Sequence, residues 1–224
     1  MSLILHLETA TTVCSVALSQ SGNLLALKEE NKGFTHAEHL TLFIEEVMQM
    51  TGKNFNELSA VAVSKGPGSY TGLRIGVATA KGLCYGLNIP LMTMNTLTSL
   101  MYGAQQKHDK ELHFCPLLDA RRMEVYTALY QFENMIHETA AIILNEDSFS
   151  EILDLQKVLF FGDGALKFKE ICNHKHAIFD LTIEPSAANM IDHIHKKYLA
   201  KEFENLAYFE PYYLKEFYSP SSQV

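Results

Sequence analysis

The chain has 224 residues, enough for one large domain or two small ones around a sizeable core. Hydrophobic residues make up 47% and charged residues 20%, a profile that excludes intrinsic disorder. The 18 Lys and Arg stand against 26 Asp and Glu, a net charge of −8, which argues against a chain that grips nucleic acid alone, because neutralising phosphates needs basic excess. Membership of a complex whose other subunits bind RNA stays open. The start MSLILHLETA lacks the basic flank of a secretory leader, and Glu8 cuts its apolar run short. No apolar run approaches the ~20 residues of a membrane helix. Cys14, Cys84, Cys115 and Cys172 are scattered without a CxxC pair, and read as reduced, buried thiols of a cytoplasmic protein.

Residues 3–8, 13–19 and 23–30 read as strands, with Ser21-Gly22-Asn23 a tight turn between the second and third. Such an opening meander is not the strand-helix-strand start of a Rossmann fold. A helix follows at about 36–51, with Thr35 and Glu38 as a capping box and Gly52 as its stop. Leu40, Phe43, Ile44 and Val47 give it one apolar face. A strand at 58–64, a helix at about 70–87 and a strand at 89–94 complete the first hundred residues. That order predicts a mixed sheet with helices packed on it. It is the order of the ribonuclease-H-like half of the actin, Hsp70 and sugar-kinase superfamily.

A charged stretch after residue 103, QKHDKELH, suggests a boundary, dividing the chain into subdomains at 1–103 and 104–224. Strands are expected at 113–119, 123–132, 139–145 and 157–162. Helices are expected near 147–155, from Gly164, and at about 186–203 with Ser186 as its cap. Ala188, Ile191, His195 and Leu199 share one face of this last helix, which packs on the second subdomain or returns to the first. The sequence shows no repeat, and SPSSQV reads as a frayed end.

The densest signal is VAVSKGPGSYTGLRIGVATAKGL, residues 61–83. Five residues separate Gly66 from Gly72, and Leu73-Arg74 follows, so no Walker A loop forms. Gly66, Gly68 and Gly72 run one residue too long for a dinucleotide fingerprint. Pro67 occupies the first glycine position of a hydrolase elbow around Ser69. Two readings remain. The turn and the helix start behind it, with Ser69 and Thr71, form an anion site, or they form a structural turn with a capped helix. Gly72, Gly76, Gly82 and Gly86 then recur along that helix with Ala78 and Ala80. Each helical glycine costs about 1 kcal/mol against alanine, which calls for another backbone packed close, inside the fold or across a subunit interface.

The block KGPGSYTGLRIGVATAKGLCYGLNIP, together with LHLETATTVCSVAL, HAEHLTLFIEEV, PLLDARRMEVYTALY and FGDGA, resembles the bacterial TsaB (YeaZ) family of tRNA threonylcarbamoyladenosine biosynthesis proteins over nearly the whole chain. The resemblance implies an α/β, actin-like ATPase (ASKHA, ribonuclease-H-like) fold with two subdomains, each a mixed sheet flanked by helices. It implies a non-catalytic paralogue of the transferase TsaD. Such a subunit pairs with TsaD and the ATPase TsaE, beside the threonylcarbamoyl-adenylate synthase, in placing threonylcarbamoyl on the adenosine next to the anticodon of tRNAs reading A-starting codons. Pairing in the family runs through a bundle of the first two helices. The resemblance therefore makes His36, His39, Leu40, Phe43, Val47, Arg74, Gly76 and Ala80 the candidate partner interface, which a homodimer would use when the partner is absent. tRNA is expected to be reached only through the complex, with no membrane contact.

The residues bear on the non-catalytic part. The paralogue holds a metal with two histidines at i, i+4, whereas His36 and His39 here are i, i+3, and His193 and His195 are i, i+2. No metal site is expected. Actin-like ATPases follow a first-strand Asp with a glycine-rich turn; here Glu8-Thr9-Ala10-Thr11-Thr12 has a longer carboxylate and no glycine. Glu8, Thr9, Gly66, Gly68, Ser69, Thr71 and Gly72 are thus the candidate anion or nucleotide loop. No tightly bound cofactor is expected, with ATP or ADP at a subunit interface left open. Asp119, Arg121 and Glu124 either line the cleft or form an Arg-carboxylate brace between two strands. The competing reading is an enzyme acting alone, as an ATPase or a protease.

Overall fold

The structure, a computed structural model, describes residues 1–31 and 36–215, without the side chains of 36–38. The proposed Thr35–Glu38 capping box and the SPSSQV end lie outside the described residues. The first sheet is built from β1 (Leu3–Glu8), β2 (Val13–Gln20), β3 (Asn23–Asn31), β4 (Ala60–Ser64) and β5 (Leu91–Met94) in the order β3-β2-β1-β4-β5. The first three strands form an antiparallel meander, and β4 and β5 add in parallel. β1 is buried on both faces. Leu3, Leu5 and Leu7 meet α1 (His36–Thr51) and α2 (Tyr70–Leu87), while Ile4 faces a 3-10 turn at Ala187–Met190 and α6 (Ile191–Leu199).

The second sheet repeats this plan. It contains β6 (His113–Asp119), β7 (Glu124–Gln131), β8 (Asn134–Ile143), β9 (Val158–Phe161) and β10 (Ala177–Asp180), in the order β10-β9-β6-β7-β8. Again an antiparallel meander is extended by two parallel strands. α3 (Thr96–Gln105) covers one face through Leu97, Leu100, Met101 and Ala104. α4 (Ser150–Leu155) and α5 (Ala165–Lys169) cover the other, where Phe160, Phe168 and Phe179 cluster.

α3 was not anticipated. It runs on to Gln105, two residues beyond the charged-stretch boundary, and is capped by Asn95, whose side chain accepts the amides of Leu97 and Thr98. β10 was also missed. The last helix is shorter than expected, and it packs on the first sheet through Ala187, Met190, Ile191 and Ile194. The anticipated face is off, since Leu199 is 68% exposed. Ser186 does cap the turn, accepting from the Ala188 amide. Beyond α6 the chain returns along α2. Leu206 and Phe209 pack on the first core, Lys81 reaches the carbonyls of Ala207 and Phe209, and the Tyr212 amide donates to the Lys65 carbonyl at 2.7 Å. The four cysteines are free thiols, and among the described residues no helix is long and apolar enough to cross a membrane.

Candidate functional site

The glycine-rich turn sits directly against the first hairpin. The Ser69 amide donates to the Ala10 carbonyl at 2.6 Å, and the Thr9 hydroxyl donates to the Gly72 carbonyl at 2.8 Å. Ser69 caps α2 by accepting the Gly72 amide at 3.3 Å. A Cβ on Gly68 would strike the Ala10 carbonyl, and one on Gly76 would strike the Thr9 hydroxyl. Gly66, at φ 106 beside the cis Gly66-Pro67 bond, passes under the Tyr212 carbonyl. Glu8, Thr9, Gly66, Gly68, Ser69 and Gly72 therefore converge, while Thr71 points outward. Several polar groups of the cradle are spent on one another: the Ser69 and Gly72 amides and the Thr9 hydroxyl all have acceptors within the turn.

Glu8 is fully buried. Its Oε1 accepts from the Ala10 amide and the Ser64 hydroxyl, both at 2.7 Å, and among the described residues its Oε2 has no hydrogen-bond partner. Burial pushes its pKa up to about 7, against those hydrogen bonds. Behind the hairpin a cavity of about 390 Å³ is lined by Glu29, Glu30 and Glu184 with Lys107, and this acidic wall fits a triphosphate poorly.

The predicted interface residues do not form a surface. Leu40, Phe43, Val47 and Ala80 are 5% exposed or less and belong to the first core, and Gly76 is buried against Thr9. This corrects their assignment: an apolar stripe at helical spacing marks the side facing the sheet. His39 pairs with Glu30 at 3.1 Å and packs on Phe43, and the side chain of His36 lies outside the described residues. His193 meets the Tyr102 hydroxyl, and His195 meets Ser2. Among the described residues no three His, Cys, Asp or Glu side chains gather as a metal would need. The exposed sides of α1 and α2 carry other residues. Leu42, Met50 and Tyr85 are 52%, 65% and 83% exposed, and a Cβ at Gly82 or Gly86 would meet nothing within 4 Å. Only Arg74 of the proposed set is shown to be exposed, its guanidinium 4.1 Å from the Tyr70 ring centre.

The brace around Asp119 exists but is made by lysines. Lys167 pairs with Asp119 at 2.8 Å, and Lys215 pairs with Glu124. Arg121 contributes its backbone amide, 2.6 Å from Asp119 Oδ1, not its guanidinium. Arg121 and Arg122 both adopt left-handed backbone, at φ 72 and 48. That conformation costs a non-glycine residue on the order of 1 kcal/mol. Sequence reading missed Arg122, although Asp-Ala-Arg-Arg between two strands lacks the Gly or Asn such turns prefer. The GDGA turn closes the same corner. Asp163 accepts the Asp119 amide at 2.9 Å, and Gly164 lies against the Leu117 carbonyl.

Two matching sheets, each a meander extended by two parallel strands and flanked by helices, define the actin-like ATPase fold. A dehydratase activator from Clostridium difficile with bound ADPNP shares it at TM-score 0.52 and 9% identity, over 91% of this chain and 98% of that one. A family model described as TsaD, tRNA N6-adenosine threonylcarbamoyltransferase, matches residues 30–209. The tRNA threonylcarbamoyladenosine biosynthesis protein TsaB of Haemophilus influenzae is 27% identical over 95% of this chain and 93% of its own. A Pseudomonas aeruginosa crystal structure, described as an uncharacterized protein with similarity to peptidase YeaZ, aligns with TM-score 0.85 at 25% identity, over 96% of this chain and 100% of that one. The chain belongs to the TsaD family, on its TsaB (YeaZ) branch.

Proposed function

We propose that this chain serves tRNA threonylcarbamoyladenosine biosynthesis as a non-catalytic subunit that pairs with TsaD, holds it active and completes a docking surface for TsaE. The observation that carries the reading is the closed first turn: Ser69 on Ala10, Thr9 on Gly72, and Glu8 buried beneath them. This supports a chain that has kept the fold and given up the phosphate site. ATP or ADP is then left to a site shared with the partner at the subunit junction. The acidic balance supports the same view, with tRNA reached through the complex.

The pairing surface is the outer side of α1 and α2. Gly82 and Gly86 cost about 1 kcal/mol each in helix stability, and among the described residues nothing approaches them to justify it. A helix of another chain packed at close range supplies the reason, with Leu42, Met50 and Tyr85 as its apolar border. A second copy of this chain covers the same surface when TsaD is absent.

The test is reconstitution with tRNA, threonine, bicarbonate, ATP, the synthase, TsaD and TsaE, with modified adenosine counted by mass spectrometry. Product should require this chain, while the chain alone turns over no ATP. Gly82→Leu with Gly86→Leu should fold normally and lose both TsaD pairing and product. Unchanged product without the chain would sink the proposal.

A further inference from the structure

The hairpin between β6 and β7 ends in two arginines that the fold does not use. Arg121 and Arg122 are exposed and sit in left-handed backbone where Gly, Asn or Asp is the usual occupant. The carboxylates flanking the turn are already satisfied, Asp119 by Lys167 and Glu124 by Lys215. Among the described residues neither guanidinium has a hydrogen-bond or ion-pair partner. The chain holds only one other arginine, Arg74. Its Nε lies 3.4 Å from the Tyr213 hydroxyl, and Tyr213 packs on Tyr70 with ring centres 5.0 Å apart. Tyr213 is two residues before Lys215, which is tied to Glu124, and two residues of chain span about 7 Å at most. The returning tail thus links the start of α2 to the strand that follows the arginine tip, through Tyr213 on Arg74 and Lys215 on Glu124.

We infer that this tip is a contact for the phosphodiester backbone of RNA, the point where a chain of net charge −8 touches the tRNA of the reaction proposed above, on which the inference rests. Guanidinium forks bind phosphate oxygens in pairs. Two adjacent forks on a protruding turn suit a polymer backbone passing over the surface, whereas the phosphates of a free nucleotide need a concave cradle. Backbone strain at the turn is kept because none of the residues best suited to that backbone carries a positive charge.

The variant that separates charge from folding is Arg121→Asn with Arg122→Gly, since both new residues suit left-handed backbone. It should unfold thermally at or above the wild-type temperature. In the reconstituted reaction, KM for a tRNA transcript should rise by roughly tenfold near 0.1 M salt, with kcat unchanged, and the slope of log KM against log salt should fall by about 2. Arg121→Lys with Arg122→Lys should restore most of the affinity, and KM for ATP should not move. An unchanged KM for tRNA, in a reaction that still requires the chain, overturns the inference and leaves the proposed function standing. A rise in KM for ATP in place of tRNA, or a fall in kcat alone, also overturns it. Product formed without the chain overturns the proposed function and this inference together.

Discussion

Glu8 ends the first strand of one sheet and Asp119 the first strand of the other, and each carboxylate accepts the amide two residues on, Ala10 at 2.7 Å and Arg121 at 2.6 Å. The motif is the same; its surroundings are not. The first turn is pressed under the start of α2, which leaves Glu8 buried with Oε2 unpartnered among the described residues. The second stands clear, with Asp119 facing solvent beside Lys167 and two arginines at its tip. Two halves with one topology have therefore diverged in what their hairpins can meet: one is closed by the protein itself, the other is left for something outside.

The closed turn is broken most directly at Gly68. Gly68→Val drives a branched side chain into the Ala10 carbonyl and Cβ, backbone that has nowhere to move. The expected loss is about 3 kcal/mol, the upper end for overpacking, read from the urea midpoint. Gly82→Ala, on the open side of the following helix, should gain about 1 kcal/mol by propensity alone, and should weaken TsaD pairing if the proposed surface is right.

Burial of the first strand's polar groups makes a pH prediction of comparable size. Burial raises the Glu8 pKa from 4.5 to about 7 and lowers that of His6 from 6.5 to about 3. Between pH 7 and 4.5 folded Glu8 keeps a proton that the unfolded chain releases, so its destabilising effect is complete above pH 7 and fades as pH falls. His6 acts in the opposite sense: below pH 6.5 the unfolded chain takes up a proton that the folded chain refuses, so stability falls with pH until about 3. Each slope is about 1.4 kcal/mol per pH unit, and the two nearly cancel between pH 4.5 and 6.5. Glu8→Gln should add on the order of 3 kcal/mol at pH 8 and expose the His6 slope, with stability dropping below pH 6.5. Urea midpoints from pH 5 to 8 show it; a variant no more stable than wild type at pH 8 would mean that burial of Glu8 does not destabilise the fold.

Much of this architecture could be read from the residues. The strands β1 to β3 with the tight turn at Ser21-Gly22-Asn23, the apolar stripe of α1 and the capped start of α2 are local patterns, and they stand within a few residues of where the sequence put them. α3 escaped because it is buried by the second sheet on one side and by Asn189 against Gly103 on another, so TLTSLMYGAQ shows no polar face to mark it as a helix. β10 escaped because AIFD is four half-buried residues at a sheet edge. The interface failed for a physical reason: Leu40, Phe43 and Val47 repeat at helical spacing because they face the sheet, and the same spacing would mark a docking side. Gly82 and Gly86, on which the proposed pairing surface rests, could not be separated by spacing alone from Gly76, which has an internal reason.

The smallest expected effect sharpens the comparison furthest. Asp119→Asn makes at the open turn the change that Glu8→Gln makes at the closed one: a carboxylate becomes an amide whose oxygen still accepts from the residue two positions on. Asp119 is 42% exposed at its side chain, so charging it carries little desolvation, and the amide forfeits the ion pair to Lys167. That pair is worth at most about 1 kcal/mol at such exposure, and the loss should shrink at high salt. A double-mutant cycle with Lys167→Met isolates it, with a coupling of about 0.5 kcal/mol expected. The sign of each change matters more than its size. Neutralising Glu8 should stabilise the fold at pH 8, and neutralising Asp119 should weaken it. If Asp119→Asn stabilised the chain as Glu8→Gln is expected to, burial would not be what sets the two turns apart.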